Sequence, residues 1–182
     1  AYRDEILSDT VMVYGNVDEV ELVLNGKTIR RQTADKGPDS DYIPVPNGGN
    51  GKNLHFPPFT FYGVPKERGV LKAVGYHQGK KVAEYTVKTP GVPERLDITY
   101  FESGKPATKN DLLIVYVRML DKQGVLCPVN GIPVELSVQG GEIVGPTSYP
   151  LEAGVASFLV RTGEISKINI NATGKGFSTR KS

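Results

Sequence analysis

Residues 69–100 constrain the fold more than any other stretch. Leu71, Ala73 and Gly75 alternate with Lys72, Val74 and Tyr76, so the run from Val70 to His77 has the period of two that a strand requires. Gln78-Gly79 then supplies a tight reversal, because glycine accepts the positive φ that a hairpin turn needs. Residues 82–89 return as a second strand, with Ala83, Tyr85 and Val87 on one face and Glu84, Thr86 and Lys88 on the other. Thr89-Pro90-Gly91-Val92-Pro93 follows, and its two prolines remove two backbone donors, which discourages one sheet from running through it. Alternation resumes at once, with Leu96, Ile98 and Tyr100 set against Asp97 and Thr99. The stretch predicts the last hairpin of one β-domain, a short stiff hinge and the first strand of another.

The rest of the chain follows the same pattern. Val11 and Val13 alternate with Met12 and Tyr14; residues 20–24 form an apolar run ending at Asn25-Gly26, a strong hairpin signal. Residues 27–32 return as a polar strand that suits a sheet edge, where charge discourages pairing with other chains. From 33 to 54 periodicity is lost, and loops of that length in compact domains are functional or mobile. Phe59 and Phe61 restore an aromatic strand and share one face, as core residues do. Residues 111–120 are apolar on both faces, which predicts a central strand covered on each side. Ala156, Phe158 and Val160 point inward in one later strand, and Ile168 and Ile170 in the last. No segment of ten or more residues has a clean 3.6 period, so helix is expected to be scarce.

A chain of 182 residues suits two β-domains of about 90 residues each. Its net charge of +2 is shared evenly: residues 1–91 hold 12 basic and 11 acidic side chains, the remainder 10 and 9. Neither half has the basic excess that nucleic acid or an anionic membrane would require, so no nucleic-acid partner is expected. Lys175, Arg180 and Lys181 read as a solvated tail. No apolar run approaches the roughly 20 residues of a membrane span. The first residue is Ala rather than Met, which reads as a mature product or an excised piece. Cys127 has no second cysteine to pair with and reads as a buried or half-buried thiol.

Nothing in the sequence assembles into chemistry. Gly48 to Lys52 lacks the Ser/Thr and the following helix of a phosphate cradle. Asp35, Asp39 and Asp41 do not match the ligand spacing of an EF-hand, so no metal and no cofactor are expected. His55 and His77 have no nucleophile motif around them. Glu21, Glu84, Glu94, Glu135 and Glu142 are spread over solvent faces, and small sandwiches rarely offer the cleft in which paired carboxylates cleave glycosides. Among the aromatic residues, Tyr42 and Tyr62 read as exposed rings able to stack on sugars, with His55 as a third candidate for glycan contact. The lack of tryptophan weakens that surface.

Two groups of residues bear a family resemblance. Val17-Asp-Glu-Val-Glu-Leu-Val-Leu-Asn-Gly-Lys27, Phe59-Thr-Phe-Tyr-Gly-Val-Pro65 and Gly69-Val-Leu-Lys-Ala-Val-Gly-Tyr76 resemble the immunoglobulin-like module that follows the catalytic barrel in bacterial glycoside hydrolase family 2 enzymes, the β-galactosidase group. Asp121-Lys-Gln-Gly124, Val134-Glu-Leu-Ser-Val138, Gly154-Val-Ala-Ser-Phe-Leu-Val-Arg-Thr-Gly163 and Asn171-Ala-Thr-Gly174 are similar to the C-terminal immunoglobulin-like domain of those enzymes, related to invasin-type repeats. The resemblance implies an all-β chain of two tandem immunoglobulin-like sandwiches, 1–90 with its long 33–54 loop and 91–182, joined by the Pro/Gly hinge. It implies no catalytic residue here, since the family's two glutamates sit in a barrel this chain lacks. The partner implied is the catalytic barrel of the parent chain, with carbohydrate as a further one, in a periplasmic or secreted enzyme. A surface adhesin or carbohydrate-binding module without an enzyme parent is the alternative.

Overall fold

The computed structural model describes residues 9–35, 57–100, 108–164 and 168–181. Among them every regular element is a strand and every strand pairing is antiparallel. The fold is all-β. Chain contacts gather into two compact units, one made of Asp4–Thr89 and one containing Pro90–Ser182.

The N-terminal unit contains β1 (Val11–Val13), β2 (Glu19–Leu24), β3 (Lys27–Thr33), β4 (Phe59–Phe61), β5 (Val70–His77) and β6 (Lys80–Lys88). One sheet has the order β3-β2-β5-β6, and β1 pairs with β4 in a second. Asn25-Gly26 (φ 51° and 80°) turns β2 into β3, and Gln78-Gly79 (φ 50° and 75°) turns β5 into β6. Two successive positive φ values make the hairpin turn whose twist matches that of its strands. β3 lies at an edge, as its charges led us to expect. The core gathers Val20, Leu22 and Leu24 of β2 with Phe59, Phe61, Val64 and Leu71. Both phenylalanines are buried in it, in line with their alternation in the sequence.

The C-terminal unit contains β7 (Pro93–Tyr100), β8 (Leu112–Asp121), β9 (Pro133–Gln139), β10 (Gly141–Ile143), β11 (Ser148–Pro150), β12 (Val155–Thr162), β13 (Asn169–Gly174) and β14 (Phe177–Lys181). These form two four-stranded sheets, β10-β12-β8-β7 and β11-β9-β13-β14. Val115, Val117, Met119, Phe158 and Val160 from the first sheet meet Val134, Leu136, Ile170 and Ala172 from the second in one core. That is a β-sandwich, in which alternate side chains of each strand face the opposite sheet.

Two expectations need correction. The segment read as a solvated tail is strand β14, in which Arg180 pairs with Asn171 and the Lys181 ammonium lies 4.5 Å from the centre of the Tyr100 ring. β8 is central, but among the described residues it is covered on one face only, since Leu112 and Ile114 are 51% and 45% exposed. Within the Pro/Gly segment, the Gly91 N–H donates to a carboxylate oxygen of buried Asp121 at 2.7 Å, and Pro93 pairs with Asp121 at the head of β7.

A candidate docking surface

Cross-strand register shows which apolar face the described strands of the N-terminal unit leave open. Leu22, Ala73 and Tyr85 stand side by side on β2, β5 and β6, and Leu24, Leu71 and Val87 form the next row. This is the face that packs against β1 and β4. Among the described residues the β1–β4 sheet has two strands against four, and its cover stops short of β6. All nine residues of β6 are exposed, with Tyr85 at 73%. Between β1 and the β5–β6 hairpin this leaves a recess of about 350 Å3, walled by Val11, Met12, Val13 and Tyr14 on one side and by Leu71, Ala73, Tyr85 and Val87 on the other. Every lining side chain is apolar or tyrosine. A sugar site needs placed polar groups to fix the ligand, whereas an apolar wall rimmed by exposed tyrosines suits a protein surface.

The opposite face of the same sheet is finished for water. Glu21 accepts hydrogen bonds from the Thr28 hydroxyl at 2.6 Å and the Tyr76 hydroxyl at 2.7 Å. Arg31 pairs with Glu19 at 2.6 Å and stacks 3.7 Å from the Tyr76 ring centre. Glu84 accepts from Lys81 at 2.5 Å and lies 3.6 Å from Lys72. Glu19, Arg31, Lys72, Lys81 and Glu84 are thus ion-paired within the unit.

Four carboxylates among the described residues have lowered pKa values. A glycosidase acid is a carboxyl group held protonated, its pKa raised. Here hydrogen bonds from Thr28 and Tyr76 lower the Glu21 pKa, and those from Lys81 lower that of Glu84. The Gln78 N–H, with lesser help from His77, lowers that of Asp18. Asp121 is lowered by the Gly91 N–H first and by the Val125 and Gln123 N–H groups after it, against the opposing effect of its burial. All four are fixed as charged acceptors. Burial and the nearby Asp121 charge push the Cys127 thiol up, away from the thiolate a nucleophile needs. No cluster of three or more His, Cys, Asp or Glu suited to a metal occurs among the described residues.

Of the three residues read from sequence as glycan contacts, Tyr62 is half-buried just beyond β4 and does not line the recess. Tyr42 and His55 lie outside the described residues, as does most of the 33–54 loop. Asp35, one of the three loop aspartates, accepts both the N–H and the hydroxyl of Thr60, at 3.0 and 2.5 Å. His77 is exposed at its hairpin end and contacts Asp18 at 3.0 Å. The recess itself escaped the sequence reading. Its signal was the fully apolar face of an outermost strand, Ala83-Tyr85-Val87.

The described residues thus form antiparallel β-sheets, with an apolar recess open at the β6 edge of the N-terminal unit. Comparison with known proteins supplies the family. Residues 8–83 match a family described as "Domain of unknown function (DUF4982)". The chain is 30% identical over 129 residues to a β-galactosidase from Rhizobium radiobacter, covering 92% of that protein and 70% of this chain. It is 29% identical over 171 residues to a β-galactosidase from Thermoanaerobacter pseudethanolicus, using 87% of this chain but only 21% of that protein. A solved glycosyl hydrolase family 2 member from Bacteroides cellulosilyticus superposes with a TM-score of 0.72 at 25% identity, over 94% of this chain and 22% of that one. The chain belongs to glycoside hydrolase family 2, in its β-galactosidase-like group, and corresponds to an accessory part of such an enzyme. It spans about a fifth of the length of the longer relatives it matches.

Proposed function

We propose that this chain is the non-catalytic C-terminal region of a family 2 β-glycosidase, two immunoglobulin-like domains whose work is to brace the catalytic barrel of the same chain. The observation behind this reading is the recess of the N-terminal unit: an apolar surface within a module that matches only 21% of a full relative. Burial of each large apolar side chain contributes about 1.5–3 kcal/mol, so seating Met12, Tyr14, Tyr85 and Val87 on the barrel would hold it firmly. The lowered carboxylates support the absence of a catalytic acid. The parent is a secreted or periplasmic enzyme on this reading; among the described residues, no helix is long and apolar enough to cross a membrane.

Purified residues 1–182 should release no nitrophenol from aryl β-galactosides or β-glucuronides, under conditions in which the full-length enzyme does. Turnover that co-purifies with the fragment and is lost on changing one of its glutamates to glutamine would place a catalytic site here instead.

A further inference from the structure

We propose that the outward face of the β10-β12-β8-β7 sheet is a second docking surface, and that its occupant is also the rest of the parent chain. The inference rests on the accessory-region reading above but on a different unit and different residues.

The two outer faces of the C-terminal sandwich are unlike. On the β11-β9-β13-β14 sheet the outward positions include Glu135, Ser137, Asn171, Thr173, Ser178 and Arg180, all polar, with the Pro133–Pro150 pair at one end. On the other sheet Ile114 stands directly opposite Leu159, and the Val144 N–H bonds the Leu159 carbonyl, bringing a third aliphatic residue alongside. Leu112, Ile114 and Val144 are 51%, 45% and 38% exposed. Half-buried Tyr116, between Ser157 and Thr99, extends the patch toward β7. Ion pairs flank it, Arg161 with Glu142 at 3.0 Å and Arg118 with Asp97 at 2.5 Å. An apolar centre inside a charged rim is the anatomy of an interface. The inner face of β8 already fills the core with Leu113, Val115, Val117 and Met119. A strand apolar on both faces is one that is covered twice, and only one cover lies among the described residues.

Size and tethering select the occupant. One face of a four-stranded sheet offers fewer side chains than the roughly 20–30 a side that a stable interface between separate chains engages. A surface on the same chain needs far less, because tethering supplies an effective concentration in the millimolar range. Some four-fifths of a relative such as the Thermoanaerobacter protein lies outside the aligned part and can supply it. The rim charges are already paired within the unit, so the partner surface is expected to be aliphatic and uncharged rather than acidic or basic.

Hydroxyl-radical footprinting of the full-length enzyme, read by mass spectrometry, tests this. Each residue's oxidation rate is referred to its rate in the urea-unfolded chain. Leu112 and Ile114, about half exposed here, should be oxidised several-fold more slowly than that exposure allows, together with Tyr85 and Met12 of the recess. Protection of Tyr85 and Met12 with free oxidation of Leu112 and Ile114 overturns the second surface and leaves the recess. Free oxidation of all four overturns the proposed bracing role of the recess as well. Protection of Ile114 that vanishes on dilution, as light scattering reports dissociation to monomers, assigns the face to a second copy and overturns the tethered occupant.

Discussion

Changing Phe61 to alanine is expected to unfold the N-terminal unit at temperatures where the C-terminal unit remains intact. Phe61 and Phe59 are 1% and 0% exposed, yet β4 that presents them is three residues long and pairs with β1 alone in its sheet. Phe61 lies opposite Val11 and packs into the cluster of Val20, Leu22, Leu24, Val64 and Leu71. Truncating a buried phenylalanine to alanine costs about 3–5 kcal/mol, the lost transfer energy plus the cavity left behind. Small domains hold only about 5–15 kcal/mol in total. For a unit of this size each kilocalorie is worth about 4–8 °C, so calorimetry should show its transition lowered by well over about 10 °C. Changing Tyr85 to serine removes as large a ring from an exposed strand and should leave the same transition nearly unmoved.

Changing Asp121 to alanine should have the largest effect in the other unit. Its carboxylate accepts the N–H groups of Gly91, Gln123 and Val125 at 2.7, 2.9 and 2.8 Å, so one side chain both closes the 121–125 turn and pins the inter-unit segment. Removing it leaves three donors without their acceptor, and a donor stranded away from water costs more than the bond it made. The pKa of Asp121 is lowered in the fold, from its ordinary value of 3.8. Its stabilisation is therefore complete above that value and fades as pH falls through the lower, folded pKa. Wild-type protein should thus lose stability of the C-terminal unit below about pH 4, the range set by the ordinary aspartate pKa. The Asp121→Asn variant should start lower at neutral pH and show less of that acid loss. Equal acid sensitivity in both proteins would mean that other carboxylates govern it. Near-UV circular dichroism against pH makes the comparison.

These effects follow from features of unequal visibility in the sequence. Asn25-Gly26 and Gln78-Gly79 announce their hairpins because few residues tolerate successive positive φ, and both pairs adopt it. Leu96, Ile98, Ala156, Phe158, Val160 and Ile170 alternate strictly, and all are buried. β14 is harder to see. Phe177-Ser-Thr-Arg-Lys181 carries one large apolar residue, and its turn is Lys175-Gly176, where Lys175 has a φ of 47° that its residue type does not advertise. β11 is three residues of Ser-Tyr-Pro, too short to show any period. The recess was least legible. Alternation tells which side chains share a face of β6, but whether that face is covered depends on how far the opposing sheet extends. That is set by strands distant in sequence, here a two-stranded β1–β4 pair facing four strands. The same reasoning applies to β8, where two apolar faces suggested two covers and one is found among the described residues. Of the candidate glycan contacts, Tyr42 and His55 lie outside the described residues, and the tyrosines that line the recess are Tyr14 and Tyr85.

Replacing Tyr85 and Val87 together by glutamate in the full-length enzyme measures most directly whether the module braces a larger partner. Both side chains stand on a strand exposed throughout, so the N-terminal unit should lose little by itself. If the recess is seated on the catalytic part, two carboxylates are forced into an apolar contact worth about 1.5–3 kcal/mol per large side chain. The temperature of half-inactivation should then fall by several degrees, while kcat and KM on an aryl β-glycoside at low temperature stay near wild type. An inactivation temperature equal to that of the wild-type enzyme would contradict docking through this surface.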